Sequence, residues 1–234
     1  MTLEKSWFVV PAAGRGLRMA SETPKQYLEL RGKTLAEHTL EKLLSLKPAG
    51  IVVAVNPSDR HWENLPVFGS DKVHIIHGGK ERADSVLNSL VWLSDRLQPD
   101  AWVLVHDLAR PCVRVEDICT LFKTLAEDDV GGLLATPVSD TIKQVAGFEV
   151  RGTLDRSALW AAQTPQMFRL GMLQLSLEQM FAEGLQPTDE ASAIEFNGHT
   201  LHVVEGSRDN IKVTCPEDLM IASAILEYQQ ALEQ

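Results

Sequence analysis

The chain has 234 residues, 44% of them hydrophobic, and a formal net charge of −10 at pH 7. That length suits one large α/β domain, and no apolar run approaches the ~20 residues that a membrane helix needs. The acidic balance argues against nonspecific binding to nucleic acid or to a membrane surface, so a polyanionic ligand must meet positive charge concentrated locally.

In chain order, residues 7–10 read as a first buried strand that stops at Pro11. A small-residue loop follows, with Gly14 and Gly16 beside Arg15 and Arg18. Backbone N–H groups approach a phosphate closely where no Cβ stands in the way, and arginines add cationic donors. The loop fits neither of two better-known phosphate signatures. Met19 stands where the dinucleotide fingerprint needs Gly or Ala, and Tyr27 stands where a P-loop ending in Gly32-Lys33-Thr34 needs Gly. Taken alone, a tight structural turn explains it equally well.

Thr34 to Glu37 forms a capping-box start for a helix through about Leu46, closed by Lys47 and Pro48. Residues 50–55 are wholly apolar and β-branched-rich, the mark of a strand covered on both faces. A strand over 73–77, a helix over 82–97, a strand over 101–105, a helix over 115–125 and a strand over 131–136 continue the alternation. Repeated strand–helix–strand units predict a Rossmann-like α/β fold, a mostly parallel sheet with helices on both faces. The loops 11–19, 78–85 and 106–111 all follow strands, so they converge at one carboxyl edge, where such sheets bind ligands.

The alternation breaks between Pro137 and Trp160, where two strands joined at Gly147 predict a hairpin. It is either an arm that pairs with another subunit or a surface hairpin. Helices over 170–183 and 189–196, a strand over 201–204 and a helix over 216–230 close the chain. No repeat or linker divides it, so residues 1–234 read as one domain with a protruding β-arm. Cys112, Cys119 and Cys215 are an odd count without paired spacing, which predicts reduced thiols in a cytoplasmic protein. The first six residues lack the pattern of a secretory leader.

Asp107 closes the strand over 101–105 at the ligand edge. A lone carboxylate there suits Mg²⁺, which takes one or two protein carboxylates plus substrate phosphates; an Asp that caps the following turn is the competing reading. His106 points to the other side, and His74 and His77 face opposite ways, so neither reads as catalytic or as part of a metal pair. Arg82 is expected to pair with Asp84 at its helix start, and Arg110 to brace its loop. Thr188 to Glu190 reads as a capped helix start with acids near its positive end. Glu195 and Glu217 read as solvated.

As a whole the sequence resembles the 2-C-methyl-D-erythritol 4-phosphate cytidylyltransferases. The motifs that carry the resemblance are Pro11 to Met19, Pro24 to Tyr27, Gly78 to Val86 and Val105 to Pro111. Pro137 to Thr141, Asp155-Arg156, Thr164 to Gln166, Thr188 to Ser192 and Asp209 to Thr214 complete the set. The resemblance implies a Mg²⁺-dependent transfer of CMP from CTP to methylerythritol phosphate, in which that phosphate attacks the α-phosphate and pyrophosphate leaves. It implies catalytic roles for Arg18, Lys25 and Lys212, and Asp107 as the metal ligand. Pro11, Ala12, Ala13, Gly14, Arg15 and Gly16 would cradle the triphosphate, Gly79, Lys80 and Ser85 would read cytosine, and Leu108 would border the ribose. Asp140, Thr141, Arg156 and Thr164 would hold the second substrate, with Arg156 reaching across a homodimer built by the 137–160 arm. Two departures stand out. Leu108 replaces a small residue and is expected to crowd the ribose, and Lys80 stands where an acid is common. Two rival readings are a ribitol 5-phosphate cytidylyltransferase, which differs at 137–166, and a noncatalytic nucleotide sensor. The joint presence of Arg18, Lys25, Asp107 and Lys212 argues against the sensor.

Overall fold

Alternation along each strand decides which face of the sheet a helix covers. In the computed structural model, which describes residues 3–14 and 23–232, Phe8 and Val10 join one apolar cluster and Val9 joins another. The first strand, β1 (Trp7–Ala12), is central. It continues through Pro11, past the predicted stop. Its ladder with one neighbour ends at Val9, so Pro11 pairs with Ala54 on one side only, and a residue without an N–H is tolerated there.

A short hairpin, β2 (Glu29–Leu30) and β3 (Lys33–Thr34), turns through Arg31 and Gly32, both at positive φ. It leads into α1 (Leu35–Ser45), which has the predicted capping box between Thr34 and Glu37. Next come β4 (Gly50–Val55), buried throughout, β5 (Val73–His77) and α2 (Arg82–Ser94). Then follow β6 (Trp102–Val105), α3 (Val115–Leu125) and β7 (Gly131–Pro137). The chain ends with β8 (Lys143–Ala146), β9 (Glu149–Thr153), β10 (Trp160–Arg169), α4 (Leu170–Ala182), α5 (Glu190–Phe196), β11 (His202–Glu205) and α6 (Pro216–Leu232).

Seven strands form one sheet in the order β11-β7-β10-β6-β1-β4-β5, parallel except for β10. Leu40 and Leu43 of α1 and Ile118, Leu121 and Phe122 of α3 cover one face. Val86, Leu90 and Leu93 of α2 cover the other, with Leu173 and Leu177 of α4 and Ile194 of α5. A third cluster, including Leu35, Val213, Ala222 and Leu226, packs α6 beside α1. From β1 the chain moves to β4 and β5 on one side, then returns to β6 on the other. The switch in strand order therefore lies between β1 and β6, where doubly wound sheets open a binding crevice.

One feature departs from the expected organisation. No strand was expected over 160–169, yet β10 lies inside the sheet between β6 and β7. Its register shifts between Ala162 and Gln166, a bulge that accommodates Pro165 within an interior strand. The β8–β9 hairpin stands apart as its own two-stranded sheet, as predicted. Val145 and Val150 are more than half exposed, and Phe148 at its turn is fully exposed.

Candidate active site

At the carboxyl ends of β1 and β6 the structure opens a cleft of about 690 Å³. Pro11, Ala12, Ala13 and Gly14 line one wall, with Lys25 beside them. Gly79, Lys80 and Ser85 form a second wall, and Asp107, Leu108 and Lys212 form the floor and third wall. Segments separated by up to two hundred residues thus meet at one point, as expected from strands that share an edge.

Local packing shapes each wall. The Gln26 amide donates to the Ala12 carbonyl at 3.1 Å, holding the Lys25 turn against the first loop, and the Tyr27 hydroxyl donates to Asp59 Oδ2 at 2.6 Å, tying the turn to the segment after β4. The second loop is pressed onto its helix. A Cβ at Gly79 would meet Asp84 Cβ at 2.2 Å, and one at Gly78 would meet Ala13 Cβ at 2.5 Å. Ser85 Oγ accepts from Gly79 N at 3.1 Å and donates to Glu81 O at 3.2 Å, so its hydroxyl holds the loop shape. Lys212 arrives on the connection from β11 to α6. Val213 N donates to Ala109 O at 2.8 Å and Arg110 Nη1 donates to Asn210 O at 2.7 Å, fastening that connection over the end of β6.

Asp107 is the electrostatic centre. Its Oδ2 lies 2.7 Å from Lys212 Nζ and 3.6 Å from Arg110 Nε, and its Oδ1 accepts from Arg82 Nε at 2.9 Å. Burial favours the neutral carboxyl, but the Arg82 and Lys212 charges outweigh it and hold the group ionised, well below the usual carboxylate range. Beneath it, Thr164 Oγ1 accepts from Asp107 N at 3.0 Å and lies 3.0 Å from His106 Nδ1. Burial pushes His106 down to about 4, against the pull of Asp107, so the ring is neutral near pH 7. A neutral ring here places its proton on Nε2, facing the Arg110 carbonyl, and accepts the Thr164 hydroxyl at Nδ1.

The sequence-predicted residues divide into four groups. Eleven lie around the cleft: Pro11, Ala12, Ala13, Gly14, Lys25, Gly79, Lys80, Ser85, Asp107, Leu108 and Lys212. Thr164 lies under it, 4% exposed, with its hydroxyl committed to Asp107 N and His106. Asp140, Thr141 and Arg156 lie on the exposed arm and do not line the cleft, and Arg156 Nη1 donates to the Ser139 carbonyl. Arg15, Gly16 and Arg18 lie outside the described residues.

Leu108 lines the cleft, is only 4% exposed and joins the apolar cluster under α1 and α3. One expectation is corrected. Arg82 does not pair with Asp84, which instead accepts from Glu81 N at 2.9 Å to cap α2. That leaves the Arg82 guanidinium free to reach Asp107 and Glu190. Arg110 braces its loop, as expected.

A divalent cation finds a limited donor set. Among the described residues there is no group of three or more His, Cys, Asp or Glu side chains able to hold a metal. The buried carboxylate of Asp107, at a cleft lined by cationic groups, fits Mg²⁺ as a single protein ligand that leaves its other positions to phosphate oxygens and water.

Comparison with known proteins identifies the lineage. The family model described as 2-C-methyl-D-erythritol 4-phosphate cytidylyltransferase matches residues 7–228. The chain belongs to this family. A cytidylyltransferase of that name from Mannheimia succiniciproducens is 52% identical over 220 residues, covering 93% of this chain and 94% of that one. One from Pseudomonas putida is 50% identical over 221 residues, with the same coverage. Among solved structures, the Francisella tularensis cytidylyltransferase superposes with a TM-score of 0.83 at 38% identity, covering 94% of this chain and 99% of that one. The Thermus thermophilus enzyme gives a TM-score of 0.76 at 28% identity, with coverage of 94% and 98%.

Membership of this cytidylyltransferase family directs attention to cleft residues the sequence reading passed over. Gln26 and Asn56 line the cleft and hold the first loop through the carbonyls of Ala12 and Ala13. Gln26 sits inside the Pro24 to Tyr27 motif, which was a usable signal. Glu190 sits inside the Thr188 to Ser192 motif, a signal of the same kind. It reads as a helix-start acid, but its side chain is 1% exposed and clamped to Arg82.

Proposed function

We propose that this chain transfers CMP from CTP to 2-C-methyl-D-erythritol 4-phosphate, releasing pyrophosphate. The observation that carries the reading is the convergence of the loop over 11–14, Lys25, Asp107 and Lys212 on one cleft at the β1–β6 switch point. The relatives reported above are all named for the methylerythritol substrate, which favours it over ribitol 5-phosphate.

In the reaction, an oxygen of the methylerythritol phosphate attacks the α-phosphorus of CTP. The bond to the bridging oxygen breaks, and the β- and γ-phosphates leave together. Negative charge spreads over the phosphoryl oxygens, so catalysis needs positioning and cationic stabilisation more than covalent chemistry. The first loop presents backbone N–H groups to the triphosphate, and Lys25 supplies charge beside them. Lys212, 2.7 Å from Asp107 Oδ2, is held at the floor, where it stabilises the α-phosphate. Arg18, from the same sequence motif, would add charge. Bound Mg²⁺, held by Asp107 and phosphate oxygens, would neutralise charge on the triphosphate. The loop at Gly79 and Lys80, pressed against α2, offers a narrow wall that accepts a pyrimidine edge and excludes a larger base.

The arm completes the assembly in this reading. Asp140, Thr141 and Arg156 lie on or beside a hairpin with exposed Val145, Phe148 and Val150. An isolated two-stranded hairpin is marginal in water, and exposed apolar side chains favour a partner. We assign that partner as a second copy, which receives Arg156 in its cleft next to the methylerythritol phosphate; Thr164 braces the floor from below. The chain works as one domain over 1–234, and its three free thiols fit a cytoplasmic enzyme.

The decisive experiment is pyrophosphate release with CTP and Mg²⁺, offering methylerythritol phosphate and ribitol 5-phosphate separately. Release with the first alone is expected. Release only with ribitol 5-phosphate would transfer the enzyme to polyol activation, and CTP binding without release would favour the sensor.

A further inference from the structure

Glu190 takes no part in the reaction described above, yet its carboxylate is 1% exposed. Burying a charge is costly unless it is paired with good geometry. Here the pairing is a fork: Arg82 donates Nη1 to Glu190 Oε1 at 2.6 Å and Nη2 to Oε2 at 3.1 Å. With both ends of the fork engaged, Nε turns to Asp107 Oδ1 at 2.9 Å. The other oxygen of Asp107 faces Lys212.

The anchor is itself fixed. Glu190 is the first residue of α5, whose start is clamped to β10 by Gln166. The Gln166 amide donates to Asp189 Oδ2 at 2.8 Å, and its Oε1 accepts from Ala191 N at 2.8 Å. Gln166 thus holds the two neighbours of Glu190, and from Glu190 the contacts run through Arg82 to Asp107 at the cleft.

We propose that Glu190 and Arg82 are positioning residues for the transfer. Glu190 anchors the guanidinium, and Arg82 fixes the rotation of the Asp107 carboxylate, so its other oxygen stays aligned with Lys212. The inference rests on the reading of Asp107 and Lys212 given above. Three cations (Arg82, Arg110 and Lys212) crowd Asp107, and Glu190 draws the fork of one of them away. Without the Glu190 charge the fork is released toward Asp107, which then has less capacity for a divalent cation. A planar fork is needed for this, and lysine does not supply one.

The test uses the full-length protein, with Mn²⁺ as a spectroscopic probe in the presence of CTP, alongside thermal midpoint, kcat and the KM for CTP. For Glu190→Gln, Mn²⁺ binding should weaken and kcat should fall, each by about tenfold or more, while the KM for CTP changes little. Arg82→Lys should reproduce both losses despite keeping the charge. If the single variants do not fold, the double variant Arg82→Gln with Glu190→Gln removes both buried charges together and should show the same loss of Mn²⁺ binding. Folded variants with unaltered Mn²⁺ affinity and kcat would overturn the proposal, provided the wild-type protein binds Mn²⁺ with CTP. A wild-type protein that binds CTP without Mn²⁺ would sink the reading of Asp107, and this inference with it.

Discussion

A lysine 2.7 Å from a carboxylate that three cations surround is held in place before any substrate arrives. In its proposed role on the α-phosphate Lys212 would therefore need little reorganisation, and preorganised charge of this kind is among the larger contributions to catalysis. Lys212→Ala should lower kcat at least ~10²-fold, about 2.7 kcal/mol, with a smaller effect on CTP affinity measured by calorimetry. Full activity in that variant would remove the assignment. At the same scale, His106 illustrates a residue legible by alternation: next to Asp107, it is fully buried and does not line the cleft. Arg82 was not legible. A helical arginine two residues before an aspartate suggests a local pair, but the choice between Asp84 and Glu190 depends on where α5 lies, 108 residues further on.

At the scale of elements, local chemistry was readable wherever the signal was short-range. Thr34 Oγ1 accepts from Glu37 N at 3.2 Å, and Glu37 Oε2 accepts from Thr34 N at 2.8 Å. Thr34→Ala should cost about 1 kcal/mol, read as a lower urea midpoint, and leave kcat unchanged because the cap lies away from the cleft. An equal midpoint would show that the box contributes nothing. The strand over 160–169 failed to announce itself for an opposite reason. Pro165 and the polar Gln163, Thr164 and Gln166 contradict the pattern of an interior strand, and only the bulge between Ala162 and Gln166 reconciles them. That bulge carries Thr164, whose hydroxyl meets the backbone of Asp107, so the irregularity serves the site. Pro11 misled similarly. It ends a strand by local rules, yet is tolerated where one neighbouring ladder has already stopped.

At the scale of the whole molecule, the arm is the outlier. Its residues are mostly exposed, while β7, the strand they leave, is buried up to its last residue. Because Arg156 is proposed to act in the cleft of a second copy, mixing inactive Arg156→Ala and Lys212→Ala chains should restore part of the activity after subunit exchange. One cleft in each mixed dimer would then hold both native residues. No recovery, with exchange demonstrated by mass, would remove the shared site. The alternation of strand and helix, the parallel sheet, the loops at its carboxyl edge and the charged residues around the cleft were all determined by the sequence itself. They arise from periodicity and from residue types that act over a few positions. Tertiary structure alone decided that β10 enters the sheet reversed, that Leu108 turns into the core and that Glu190 clamps Arg82. Those outcomes depend on which segments, far apart in the chain, come to share one buried volume, and no local pattern encodes that neighbour.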